Sequence, residues 1–204
     1  MTLPVRGTLY GSLTSPYVRL CRIVRERSGA SQAIAFEKAD AFVESYRAVN
    51  PIGRVPALII DDGPIVADTP LIVRTLMDIG GTDLLPADPM ERLEAEADIA
   101  LAMGVLDLGV AYFLETKREP EEQSPRWLDR RLAGVQETLS VIDASAARLE
   151  VGSLSSLAFA CMADWLGLRM EHALDWRAAA PRLSGIVDQV LAFDDVAATD
   201  PRLA

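Results

Sequence analysis

Asn50-Pro51-Ile52-Gly53-Arg54-Val55-Pro56-Ala57-Leu58, followed a short way downstream by Asp68-Thr69-Pro70, is the most informative stretch of this chain. Proline has no N–H to give to a sheet ladder. Pro56 therefore fits the start of the apolar run Val55-Pro56-Ala57-Leu58-Ile59-Ile60, or a cis-peptide turn, and not a strand interior. The backbone beside it is then free to meet a ligand. After an Asp62-Gly63 hairpin turn and a second short strand, Ile65-Val66-Ala67, Asp68 and Thr69 stand directly before Pro70, a residue favoured at the first helical position. Thr69 is the expected N-cap. An acid, a hydroxyl and the free N–H groups of a helix start together suit a zwitterion, its amine meeting Asp68 and its carboxylate meeting the helix end.

Upstream, short β-branched runs alternate with helical ones: Thr8-Leu9-Tyr10, then Ser15 to about Arg27, then Ile34-Ala35-Phe36, then a helix across Phe42 to Val49. With the hairpin and the helix from Pro70 to Met77 this gives βαβαββα, the thioredoxin-like order. The first helix carries an apolar stripe at Tyr17, Leu20, Cys21 and Val24, with Arg19, Arg22 and Glu26 on the other side, and so is expected to lie on a sheet. Arg19, Arg22, Arg25 and Arg27 are expected to form a solvated face.

The pattern changes near residue 80. Gly80-Gly81-Thr82-Asp83 and Leu85-Pro86-Ala87-Asp88-Pro89 form a breaker-rich linker, after which no strand-like segment occurs. Met90 to Glu115 reads as one long helix, with small residues at Ala97, Ala100 and Gly104. A second, opened by Ser124-Pro125, carries Leu128, Leu132, Val135, Leu139, Ile142 and Leu149, and the pair is expected to pack as a bundle. Ser155 to Arg169 is apolar nearly all round, which suits the bundle's centre. The expected domains are residues 1–80, thioredoxin-like, and 89–204, all-helical.

With 204 residues, half of them apolar, 25% charged and a net charge of −10, the composition is that of a compact globular chain. The acidic balance argues against nucleic acid or an anionic membrane as a partner. No run approaches the roughly 18 consecutive apolar residues of a membrane span, and the N-terminus has no charged-then-apolar leader, so a cytoplasmic protein is expected. Cys21 and Cys161, far apart in helical stripes, read as buried free thiols. The lone His172 reads as a surface or interhelical residue, and no metal site is expected.

Val55-Pro56 with Asp68-Thr69 resembles the glutathione-binding signature of the cytosolic glutathione transferases, in which a Val-cis-Pro pairs with the cysteinyl backbone of glutathione and an acid-hydroxyl pair holds its γ-glutamyl end. Thr14-Ser15-Pro16-Tyr17-Val18-Arg19 is similar to the Thr-Ser-Pro-Phe/Tyr-Val-Arg of bacterial members, and the end, Phe193 through Thr199 and Pro201, is also similar to theirs. The resemblance spans essentially the whole chain. It implies the glutathione transferase fold, glutathione as co-substrate, a small electrophile bound between the halves, and a homodimer; helical side chains such as Met103, Leu106, Tyr112 and Trp165 could line that place, but each reads first as plain core. Arg54, where relatives often carry a Lys or Arg, either reaches a glutathione carboxylate or is a solvated loop residue.

The chemistry in such a site is thiol ionisation. A free thiol with a pKa of about 8.5 is about 3% ionised at pH 7, and lowering it by about two units raises the nucleophile roughly 25-fold. Ser15, before Pro16 at the start of the first helix, places a hydroxyl donor where free N–H groups and the positive dipole end converge. Ser15 is the expected thiolate-stabilising residue, with Thr14 and Ser12 as alternatives because serine-type transferases place the hydroxyl at differing offsets from this Pro. Ser15 as a simple helix cap is the competing reading. Tyr10 falls within the first strand and is expected to pack.

One departure is visible: where many transferases carry Ser/Thr-x-x-Asp at the central bundle helix, Ser156-Leu157-Ala158-Phe159 has Phe159 in place of the Asp, leaving Ser155 or Ser156 to cap. Three functions remain open: conjugation of glutathione to small electrophiles; a glutathione-dependent reductase or peroxidase, disfavoured in its mixed-disulfide form by the absence of Cys at position 15; and a binding protein without turnover.

Overall fold

Four short strands, β1 (Gly7–Gly11), β2 (Ile34–Lys38), β3 (Ala57–Ile60) and β4 (Ile65–Ala67), form one sheet in the order β2-β1-β3-β4 in the computed structural model, which describes residues 5–204. β1 and β2 are parallel, β1–β3 and β3–β4 antiparallel. The β3–β4 hairpin turns at Asp62, with φ +54, and closes with the Gly63 N–H on the Ile60 carbonyl. Helices α1 (Pro16–Arg27) and α2 (Thr69–Gly80) pack against each other, and their inner faces are fully buried at Val18, Leu20, Cys21, Val24, Ile72 and Leu76. The mixed four-stranded sheet with its helices is the thioredoxin-like order expected from the sequence.

Three expectations are corrected within this unit. The helix expected across Phe42 to Val49 is only a 3-10 turn, Glu44–Ala48. Phe42 is 85% exposed and Val43 51%, so Tyr46 alone anchors the segment, too little buried surface to hold an α-helix on a sheet. The arginine-rich side of α1 is not a solvated face. Arg19 is buried, Arg25 donates to the Ile34 carbonyl, and the Arg22 guanidinium sits over the Phe36 ring at 5.0 Å. Tyr17, expected in the buried stripe, is half-exposed.

The chain divides into one unit of Met1–Pro86 with Phe193–Ala204 and another of Ala87–Ala192. The last residues thus return to the sheet unit, where α8 (Asp194–Ala197) lies on α1, while the sequence had carried the helical domain through Ala204.

The second unit is all helical: α3 (Pro89–Glu115), α4 (Pro125–Ser145), α5 (Leu154–Arg169), and the shorter α6 (Trp176–Ala179) and α7 (Pro181–Leu191). Asp88 caps α3 by accepting from the N–H groups of Met90 and Glu91, with Pro89 following it. By length and composition α3 is the one helix, among the described residues, apolar enough to cross a bilayer. Its apolar residues Ile99, Ala102, Met103, Val105 and Leu106 are buried, and it packs on α4 and α5. α5 is buried along its first three turns and beyond, from Leu154 to Leu166, as its composition requires. Its cap is Ser153, which accepts from the Ser156 N–H, and not Ser155 or Ser156. The Ser156 hydroxyl donates back to the Ser153 carbonyl and accepts from the Gly152 N–H, closing the helix start without the missing Asp.

Candidate functional site

The register of the sheet gathers the sequence-predicted residues at one edge. Tyr10 of β1 pairs with Ala57 of β3, and Ala57 pairs with Ala67 of β4, so one row of the ladder crosses β1 one residue before its end, begins β3 and ends β4. The loop to Ser15 leaves from this row, Val55 and Pro56 enter it, and Asp68 and Thr69 leave it. Neighbouring strands are about 4.8 Å apart, so these three segments lie side by side within about 10 Å. Lys38 pairs with Gly11, which brings the end of β2 to the same edge.

The Val55-Pro56 peptide bond is cis, as the position of Pro56 before the strand allowed. Pro56, one residue outside the first ladder pair, is buried, and Val55 before it is half-buried. The approach to the turn is held by Asn50, 1% exposed, whose side-chain N–H donates to the Arg54 carbonyl at 2.7 Å and whose amide oxygen accepts from the Ile52 N–H at 3.1 Å. The Tyr46 hydroxyl donates to the same Arg54 carbonyl at 3.1 Å, and burial raises its pKa. Asn50 and Tyr46 carried no role in the sequence reading. The Arg54 side chain is exposed.

At the third segment the cap is Asp68, not Thr69. Asp68 adopts φ +77 and ψ 125 and is exposed, with its carboxylate making no bond to its own helix. Thr69 is the first residue of α2 and buried, and Pro70 is the second. Both Asp and Thr are good caps, and only the positive φ, which Asp tolerates better than Thr, separates them. The carboxylate stands at the free N–H end of α2, where it is open to a cationic group while the helix end is open to an anionic one.

Ser15 is the N-cap of α1. Its hydroxyl oxygen accepts from the Val18 N–H at 3.4 Å, and its own N–H donates to the Ser12 carbonyl at 3.2 Å. With the oxygen already engaged as an acceptor, the O–H proton is available to a ligand at the helix start. Ser12 and Thr14 hydrogen-bond each other at 3.1 Å, so one of their two protons is occupied. Gly11 is obligatory beside them, since a Cβ there would stand 2.5 Å from both methyl groups of Val18. α1 can therefore approach β1 closely. Tyr10 is half-buried within β1.

A cavity of about 430 Å³, lined by Ser12, Thr14, Lys38, Ala39, Asp40 and Phe42, opens at the same edge. Lys38 and Asp40 were missed from the sequence, although the parallel pairing of β1 with β2 brings them here. The Asp40 carboxylate accepts from the Phe42 N–H at 2.9 Å and shapes the turn. Met103, Leu106, Tyr112 and Trp165 are all buried in the helical unit. Among the described residues no group of three or more His, Cys, Asp or Glu is placed to hold a metal ion. His172 is exposed.

The family model of the glutathione S-transferase N-terminal domain matches residues 9–82. An uncharacterised GST-like protein of Escherichia coli K12, YibF, is 30% identical over 202 residues, covering 95% of this chain and 98% of that one. A glutathione transferase family member from Pseudomonas fluorescens Pf-5, solved with bound glutathione, is 27% identical with a TM-score of 0.86, covering 96% of this chain and 98% of that one. A glutathione S-transferase from Methylobacterium radiotolerans, solved with glutathione sulfonate, is 25% identical with a TM-score of 0.85, covering 95% and 94%.

Proposed function

From the premise that this chain belongs to the glutathione transferase family, we propose that it binds reduced glutathione along the edge where β1, β3 and β4 meet and transfers its thiolate to a small electrophile. The observation that carries this is the single row Tyr10–Ala57–Ala67, which sets three kinds of group side by side in the order a tripeptide needs. Asp68 meets the γ-glutamyl amine, and the start of α2 at Thr69 meets its carboxylate. The backbone of Val55, ahead of the cis Pro56, pairs with the cysteinyl residue. The thiol then falls at the loop after β1, and the glycyl carboxylate runs on towards the cavity containing Lys38, with Arg54 as a second cation on the approach.

Ser15 acts on the thiol. It donates its hydroxyl proton to the sulfur while accepting from the Val18 N–H, and the α1 start adds its positive dipole end. Each favours the thiolate over the thiol, which is the condition for attack near neutral pH. The electrophile accepts the new S–C bond, its leaving group departs with the electron pair, and the thiol proton has already gone to solvent. Cys21 is fully buried and Cys161 is 1% exposed, which favours this route over a mixed disulfide with the chain's own thiols. Action as a homodimer in the cytoplasm belongs to the same reading.

Thermal unfolding with reduced glutathione tests the binding. Ligand at about 100 times Kd stabilises the fold by about 2.7 kcal/mol, seen as a raised Tm, and Asp68→Ala should remove the shift. No shift in the unmodified protein would overturn the reading.

A further inference from the structure

Resting on the assignment of Ser15 to the thiolate, we propose that the C-terminal segment acts on catalysis through α1, with Thr199 a positioning residue that works through Arg19. The segment runs antiparallel to α1. At the far end of the helix, Arg27 grips Asp195 through two nitrogens, Nε at 2.6 Å and Nη2 at 3.1 Å, and lies over the Phe193 ring at 5.2 Å. Near the Ser15 end, Arg19 Nε donates to the Thr199 hydroxyl at 3.1 Å and Nη2 to the Val196 carbonyl at 3.4 Å. The Thr199 hydroxyl donates in turn to that carbonyl at 2.6 Å.

Arg19, Val196 and Thr199 are all buried, so these are desolvated contacts of a cation, which cost far more to lose than surface pairs. Arg19 is also the residue whose N–H closes the first turn on the Ser15 carbonyl, at 3.0 Å. On the opposite side of the same turn, Val18 stands so close to Gly11 that no Cβ fits between them. The turn bearing Ser15 is therefore pressed against β1 on one side and tied to the tail on the other. Releasing the tail frees it to tilt, and a hydroxyl displaced by a fraction of an ångström loses its line to the sulfur.

The test is a pH titration of glutathione bound to the full-length protein, read by the ultraviolet absorbance of its thiolate, for the unmodified protein, Thr199→Val, Thr199→Ser and Ser15→Ala. Thr199→Val keeps the shape and removes the hydroxyl that accepts from Arg19 Nε. It should raise the bound thiol's pKa by about one unit, a tenfold loss of thiolate on the acid side, with affinity for the un-ionised thiol, measured at a pH below the bound pKa, changed less than twofold. Thr199→Ser, which keeps the hydroxyl, should restore the unmodified value. If Ser15→Ala moves the pKa and Thr199→Val only lowers Tm, Thr199 has a structural role alone and the proposal fails. If Ser15→Ala leaves the pKa unmoved, the assignment of Ser15 fails, and the positioning role with it. Should Thr199→Val not fold, Asp195→Asn, which weakens the tail's other tie, is held to the same pKa criterion.

Discussion

The Ser15 hydroxyl oxygen caps the start of α1, and under the proposed function its proton has a second task at the glutathione sulfur. Ser15→Ala should therefore cost about 1 kcal/mol in chemical denaturation, as other lost caps do, and also suppress thiolate formation. Ser12→Ala and Thr14→Val, which break their mutual bond and, for Ser12→Ala, also the bond from the Thr14 N–H, should leave the thiolate in place. If either of these abolishes it while Ser15→Ala does not, the working hydroxyl has been misassigned. Lys38 makes a separate claim, about the glycyl end. Lys38→Ala should weaken glutathione binding about tenfold in titration calorimetry, the worth of one hydrogen bond to a charged group, and leave γ-glutamylcysteine, which lacks that carboxylate, unaffected. Equal losses for both ligands would place Lys38 elsewhere. Pro56 was legible because proline has one missing donor and few places to hide it. The cap at Asp68 was not, because Asp and Thr serve equally well until a φ of +77 is known. Lys38 was invisible for a different reason: strand pairing brings it to the edge, and pairing is not written locally.

Helix α5 illustrates how an element compensates for a lost local signal. Without an Asp at Phe159, its start is closed by Ser153, Ser156 and the Gly152 N–H, three polar groups bonded to one another. Ser153→Ala should cost about 1 kcal/mol of stability in urea unfolding. The sequence pointed to a serine cap but placed it two or three residues late, since Ser153, Ser155 and Ser156 differ only in backbone geometry. A second tie, between α3 and the turn after α4, is asymmetric. Asp98 is 1% exposed, and Arg148, whose side chain is 41% exposed, binds it with two nitrogens at 2.8 and 2.5 Å. The hydrogen bonds that Arg148 donates to Asp98 raise the pKa of Arg148. Arg148→Ala strands a buried carboxylate and should destabilise the protein by about 3 kcal/mol. Asp98→Asn returns a half-exposed guanidinium to water and should cost less. The opposite ranking in denaturant midpoints would mean that Asp98 is satisfied from elsewhere. The α1 arginines show where helical periodicity misleads: a charged stripe reads as solvated unless other parts of the chain cover it, and here the tail takes Arg19 and Arg27 while β2 takes Arg22 and Arg25.

The two units are not two consecutive lengths of chain, because Phe193–Ala204 returns to the sheet unit after the helical one is complete. Composition gave no hint of this. The linker near residue 80 is marked by Gly and Pro, whereas at Ala192 one helix simply gives way to another. The tail brings two kinds of stabilisation to α1: the buried Val196 and Thr199, and the Arg27–Asp195 pair, in which the hydrogen bonds from Arg27 hold the Asp195 carboxyl below its ordinary range. A depressed carboxyl pKa stabilises the fold fully above the unfolded value of about 3.9 and loses that contribution as pH falls through the folded value. Asp195→Asn should thus lower Tm at pH 7 and make little difference at pH 2. Truncation after Ala192 removes every one of these contacts at once. Hydrogen exchange on the shortened chain should show α1 and β1 losing protection while the buried centre of α5 keeps its own, because stability is distributed in local cooperative units and the lost contacts belong to one of them. Equal loss in α1 and α5 would mean that the two units unfold as a single body, and the tail would then stabilise the whole molecule and not the helix that carries Ser15.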